Sequence, residues 1–70
     1  MHATITHADG TTEQLTGRNI GDIRSQINSR LRVDGPRGLT AITETGTEIR
    51  VDLYEGGDYV RTADGREIKR

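Results

Sequence analysis

The chain has 70 residues, an apolar fraction of 30% and a formal net charge of −1. This length corresponds to one small domain, residues 1–70, and the balanced charge argues against a protein built mainly to neutralise nucleic-acid phosphates. The sequence has no cysteine, which excludes disulfides and thiolate metal sites, and no apolar run approaches the roughly 20 residues of a membrane-spanning helix. We therefore expect a soluble, cytoplasmic protein. Because the chain also lacks Trp and Phe, we expect a small core and a marginally stable monomer, for which a homodimer or a protein partner is plausible.

The first segment is predicted to form a β-hairpin. Residues 3–8 and 11–16 contain Thr and Ile and flank Asp9-Gly10, which is typical of a turn between two strands. A three-residue turn at residues 9–11, with the glycine in the left-handed conformation, would pair Ile5 with Leu15 on one face. A two-residue turn would place these two side chains on opposite faces. We prefer the longer turn, because one apolar face must pack against the helix that follows.

One helix is predicted over residues 19–31. Its apolar residues are spaced by three, four and four positions, which places them on one side of a helix: Ile20, Ile23, Ile27 and Leu31. Asn19 is a suitable N-cap, because its side-chain oxygen can accept a hydrogen bond from an unpaired amide of the first turn.

The segments after the helix predict further strands, with a turn before each new one. Residues 39–44 and 48–54 flank a turn at residues 45–47, which would pair Ala41 with Val51 and Leu39 with Leu53. A loop at Gly56 and Gly57 would pair Tyr54 with Tyr59 and Asp52 with Arg61. A last turn at residues 63–65 would bring Ile68 opposite Thr62, on the same face as Val60.

The predicted order of elements is therefore β-β-α-β-β-β. We expect a two-layer α+β sandwich, in which the apolar side of the helix packs on one face of a mostly antiparallel sheet. The order of a hairpin, a helix and further strands resembles the β-grasp arrangement. The sequence leaves open whether the strand at Tyr59 lies beside the first strand.

The other face of the predicted sheet is the candidate binding surface. The register that buries Val51, Leu53 and Val60 turns a set of aromatic, basic and aliphatic side chains away from the helix: Arg50, Tyr54, Tyr59, Arg61 and Ile42. Tyr and Arg are enriched at binding hot spots. We therefore expect a non-catalytic protein-interaction module, an accessory or inhibitor-like factor that binds a protein partner or itself. In the alternative interpretation, the two tyrosines form a cross-strand pair that only stiffens the sheet.

A nucleic-acid-binding module is the second hypothesis. Four arginines are concentrated on the helix and in the loop after it: Arg24, Arg30, Arg32 and Arg37. Such a cluster can contact phosphates, although a solvated surface with salt bridges is the more common use of mixed charge.

The sequence gives little support for an enzyme. His2 and His7 differ in strand parity and cannot bind one metal ion together, whereas His7 is expected opposite Glu13, as a possible base or an ordinary cross-strand pair. The glycines do not form a phosphate-binding motif. We therefore predict no catalytic residue, no metal site and no cofactor.

Overall fold

A computed structural model of the chain describes residues 1–35, 37–53 and 58–69. Its elements follow in the order β1 (His2–Thr6), β2 (Thr12–Thr16), α1 (Ile20–Arg30), β3 (Gly38–Thr43), β4 (Glu48–Asp52), β5 (Tyr59–Arg61) and β6 (Glu67–Lys69). The described residues contain no helix long and apolar enough to cross a membrane. The predicted α+β class is confirmed, because one helix packs against an antiparallel sheet, but this sheet has six strands whereas the predicted order has five.

The sheet has the strand order β2-β1-β3-β4-β5-β6, with each neighbouring pair antiparallel. β2 and β3 both run antiparallel to β1, so they are parallel to each other, and α1 joins them across β1. The strand at Tyr59 is β5, which is separated from β1 by β3 and β4. The likeness to the β-grasp arrangement is therefore limited to the order of the elements along the chain.

The helix begins where its capping residues predict. The side-chain oxygen of Asn19 accepts a hydrogen bond from the backbone N–H of Asp22 at 3.0 Å, and Asp22 Oδ2 accepts one from the backbone N–H of Arg18 at 2.9 Å. The first bond satisfies an amide of the first turn, which has no partner within the helix. The second ties the residue before the cap to the helix, and the Asp22 carboxylate places a negative charge at the positive end. The helix ends at Arg30, and the N–H of Leu31 bonds to the carbonyl of Asn28.

The core lies between the helix and one face of the sheet. Its fully buried large side chains come from the helix and three strands: Ile5, Leu15, Ile23, Ile27 and Ile49. Ile20 and Leu31 pack against this cluster and are partly buried, so the predicted apolar side of the helix is confirmed. Ile68 lies opposite Val60 as a neighbour on the same face, but it is 52% exposed because it belongs to the edge strand β6.

The predicted hairpin registers place the correct side chains in the core, but they are wrong by two residues. Ile5 pairs with Glu13 rather than with Leu15, and Ala41 pairs with Ile49 rather than with Val51. The three-residue turns of these two hairpins start one residue earlier than predicted, at residues 8–10 and 44–46, so that the glycine comes last. The shift is even, and the side chains therefore keep their faces.

The turn glycines explain this register. Gly10, Gly46 and Gly65 have φ values of 89°, 86° and 93°, and each donates its N–H to the carbonyl of the residue before its turn. A hydrogen bond of this kind with a final residue of positive φ is typical of three-residue hairpin loops, and the left-handed region favours glycine. The third turn occupies residues 63–65 as predicted, but it brings Ile68 opposite Val60 and not opposite Thr62.

The pairing of β4 with β5 also differs from the prediction. Tyr59 lies opposite Arg50, and Arg61 lies opposite Glu48, so the predicted Asp52–Arg61 pair does not form. The difference is four residues, because the connection between the strands is longer than a Gly56-Gly57 turn. Tyr54 itself lies outside the described residues. Tyr59 and Arg61 nevertheless keep the predicted face, since the shift is even.

Candidate functional site

The sheet surface away from the helix is called here the outer face. Every second residue of each strand lies on this face, and the residues between them are buried in the core. Over β3, β4 and β5 its members are Gly38, Thr40, Ile42, Glu48, Arg50, Asp52, Tyr59 and Arg61. The structure brings four of the five predicted binding residues to this face: Ile42, Arg50, Tyr59 and Arg61.

Tyr59, Glu48 and Arg61 form the first cluster of the outer face. The Tyr59 hydroxyl donates a hydrogen bond of 2.6 Å to Glu48 Oε1, and the Arg61 guanidinium carbon lies 5.4 Å from the centre of the Tyr59 ring. Arg61 also donates to Glu67 of β6 at 3.0 Å. The cluster therefore joins three strands through a cation–π contact and two charge-assisted hydrogen bonds.

Glu48 changes the acidity of the tyrosine. Its carboxylate accepts the phenol hydrogen bond and thereby raises the pKa of Tyr59 above its ordinary value of 10.0, and burial adds to the rise. The phenol is thus kept as a hydrogen-bond donor with a fixed direction. Sequence reasoning missed Glu48 as a member of the site, because the incorrect register placed Asp52 rather than Glu48 opposite Arg61.

Arg50 and Asp52 form the second cluster. The Arg50 guanidinium donates to both Asp52 oxygens, at 3.1 and 3.3 Å, and its remaining Nη1 donates to Thr40 Oγ1 at 3.1 Å. This pair lies directly over Gly38, where a Cβ would collide with Arg50 Nη2 and with Asp52 Oδ1. A glycine in β3 therefore makes room for an arginine that is held flat on the outer face.

Ile42 supplies the apolar part of the outer face. It lies on β3, opposite Thr4 on one side and Glu48 on the other, and it is 46% exposed. Ile42 is thus a large exposed apolar side chain in the interior of the sheet, on the same face as an ordered tyrosine and two ordered arginines. This combination has the composition of a binding hot spot.

The four arginines proposed for nucleic-acid binding do not form one cluster. Arg24 pairs with Asp58 at 3.2 Å, and Arg30 donates to Glu13 at 2.5 and 2.8 Å across the β2 side of the helix. Two of the four charges are therefore already balanced by carboxylates. Arg32 and Arg37 lie exposed in the loop after the helix.

The contact between His7 and Glu13 is confirmed, although the two residues are diagonal rather than opposite in the hairpin. His7 Nε2 lies 3.3 Å from Glu13 Oε1. The same carboxylate binds Arg30, and this hydrogen bond holds the pKa of Glu13 below its ordinary value. A carboxylate with a lowered pKa and a permanent cationic partner is a poor base. In the described part of the chain, no three His, Cys, Asp or Glu side chains are placed to hold a metal ion.

Comparison of the chain with family models, with curated proteins and with solved structures finds no match.

Proposed function

We propose that this protein is a non-catalytic interaction module that binds a protein partner through the outer face. The observation that supports this most directly is the exposure of Ile42 beside the Tyr59, Glu48 and Arg61 cluster. The helix covers only the opposite face, so a partner can reach the outer face without displacing any described helix. Ile42 lies opposite Glu48, beside a cluster that contains an aromatic and an arginine side chain, and this combination fits a protein interface.

The side chains of the outer face are already held in place before a partner binds, and this favours binding. Tyr59 is held by Glu48, and Arg50 is held by Asp52 and Thr40, so these long side chains have already lost much of their rotational freedom. A partner that contacts them pays less of the ordering cost, which is about 0.5–1.5 kcal/mol for each flexible side chain that binding immobilises.

Ile42→Thr is the variant that tests the proposal. Threonine keeps the β-branch that strands favour, and a surface change of this kind alters stability by less than about 0.5 kcal/mol. Ile68→Thr is the matched control, because Ile68 is similarly exposed at 52% but lies on the helix side of β6. We expect a partner captured by the wild-type chain to be retained by Ile68→Thr and lost by Ile42→Thr.

The captured protein is then titrated into the isotope-labelled chain, and its footprint is mapped by amide shifts. Shifts confined to β3, β4 and β5, with loss of affinity in Ile42→Thr, support the proposal. A footprint on the helix, or equal binding by both variants, contradicts it. Binding of an oligonucleotide that weakens with added salt would support the nucleic-acid hypothesis instead.

A further inference from the structure

The free edge of the sheet at β2 has backbone groups that point away from the molecule. The N–H of His7 bonds to the carbonyl of Thr11 at 2.8 Å, and the N–H of Gly17 bonds to the carbonyl of Met1 at 2.9 Å. In an antiparallel ladder, hydrogen-bonded and non-bonded pairs alternate, so the odd-numbered residues of β2 bond to β1. The backbone groups of Thr12, Gln14 and Thr16 therefore face outward from the sheet.

These outward groups are available for a further strand. Among them, the carbonyl of Thr16 accepts a hydrogen bond of 2.7 Å from Gln26 Nε2 of the helix. A carbonyl oxygen has a second lone pair, so this bond leaves room for another donor. The N–H groups of the three residues and the carbonyls of Thr12 and Gln14 have no hydrogen-bond partner among the described residues.

The two edge strands of the sheet, β2 and β6, differ in how well they are protected against pairing with a further strand. β6 spans only three residues and begins with Glu67, directly after Arg66. Short strands and charged side chains are the usual means by which an edge avoids further pairing. β2 spans five residues, and the side chains beside its outward backbone groups are uncharged.

The one charged residue of β2 does not protect it in this way. Glu13 points to the helix side of the sheet, where Arg30 and His7 bind its carboxylate. Its charge is therefore compensated within the monomer, and a neighbouring strand would meet no unpaired charge there.

We propose that β2 pairs antiparallel with β2 of a second copy, about a two-fold axis that passes between the two Gln14 residues. In this register Gln14 faces Gln14, and Thr12 faces Thr16 of the other copy, so outward backbone groups meet outward backbone groups. The pairs of side chains are uncharged and polar, which suits cross-strand contacts. A net charge of −1 on each copy adds little repulsion.

The resulting dimer has one continuous sheet and goes beyond the proposed function, because it uses an edge rather than the outer face and needs no other protein. An edge of five residues buries less than the roughly 1,200 Å² of a stable interface, so the association is weak. We expect a dissociation constant between about 10 μM and about 1 mM, which corresponds to about 4–7 kcal/mol of binding free energy.

Replacing Gln14, which lies at the two-fold axis, with residues of either charge tests this inference. Gln14→Lys and Gln14→Glu each place like charges opposite each other, so each variant alone is expected to sediment as a monomer. An equimolar mixture places opposite charges together and is expected to restore the dimer. Asn28→Lys and Asn28→Glu, on the exposed side of the helix, are the controls for net charge and are expected to dimerise as the wild type does.

The result is measured by sedimentation equilibrium, with circular dichroism to verify that each variant is folded. A wild-type chain that remains monomeric at about 1 mM overturns the proposal. A dimer that persists in both Gln14 variants places the interface elsewhere. Loss of the dimer without recovery in the mixture contradicts the two-fold register. The measurement uses this chain alone, so its result does not decide whether another protein binds the outer face, and the two proposals can fail separately.

Discussion

Gly38 allows a direct test of how the outer face is built. Its backbone is not in the left-handed region, so alanine is compatible with the chain conformation. The space above it is the obstacle, because a Cβ would collide with Arg50 Nη2 and Asp52 Oδ1. We predict that Gly38→Ala displaces the Arg50–Asp52 pair while leaving the fold intact.

The expected change in stability is small because two effects oppose each other. The Arg50 and Asp52 side chains are 34% and 20% exposed, and a partly exposed pair contributes about 0.2–1 kcal/mol. Alanine in place of glycine restricts the unfolded chain and returns about 0.4–1 kcal/mol. The net change in the free energy of unfolding is therefore less than about 1 kcal/mol, even though the pair is rearranged.

Gly10→Ala is the matched control, because at Gly10 the backbone conformation disfavours alanine whereas the space for its Cβ is free. Gly10 has a φ of 89°, but an added Cβ would meet no atom within 4 Å. The left-handed conformation costs a non-glycine residue about 1–2 kcal/mol, so this variant loses stability without touching the outer face.

The two variants are compared by urea unfolding and by the Nε–Hε resonance of Arg50. We expect Gly38→Ala to shift this resonance and keep the unfolding midpoint, and Gly10→Ala to lower the midpoint and keep the resonance. An unchanged Arg50 resonance in Gly38→Ala would show that the pair does not lie over Gly38. A loss of more than about 2 kcal/mol in Gly38→Ala would show that its backbone does require glycine.

Two further predictions concern ionisable groups. Glu48→Gln removes the carboxylate that raises the pKa of Tyr59, so the pKa of this phenol should fall towards 10.0; ultraviolet titration in a Tyr54→Phe background measures it, and an unchanged pKa refutes the contact. Arg30 lowers the pKa of Glu13 below 4.5 in the folded state, so this carboxylate stabilises the fold above that pH and the contribution is lost as the pH falls through the lowered pKa. Urea midpoints between about pH 6 and pH 3 should therefore fall less steeply in Glu13→Gln than in the wild type, and parallel curves would contradict the assignment.

The sequence was sufficient to predict the helix, the face of each strand and the core. Spacing identifies the apolar side of α1, and strand parity assigns Ile5, Leu15, Ile49 and Val60 to the same layer. It was not sufficient for the register, because a glycine with positive φ can be placed in the middle or at the end of a three-residue turn. Both placements keep parity, so the apolar pattern cannot distinguish them.

The candidate site, too, could be predicted only in part, because some of it follows from strand parity and the rest depends on the register. Parity alone places Ile42, Arg50, Tyr59 and Arg61 on one face, whereas the atoms that they bind depend on the register. Glu48 could be identified only after Arg61 was seen opposite it. The strand order could not be read from the sequence either, because the connection through α1 fixes neither the direction nor the neighbour of β3.

The strand order also has a consequence for the kinetics of folding. Of the five described ladders, four join strands that follow each other in the chain, and only the β1–β3 ladder joins distant segments. Hairpins form in about 1–10 μs, whereas closing a long loop must precede any gain from the distant contact. We therefore expect the docking of β1 on β3 to be the slow event. This ladder joins an N-terminal hairpin and helix to a C-terminal four-stranded meander. Two fragments cut in the loop before β3 would have to reassemble along it.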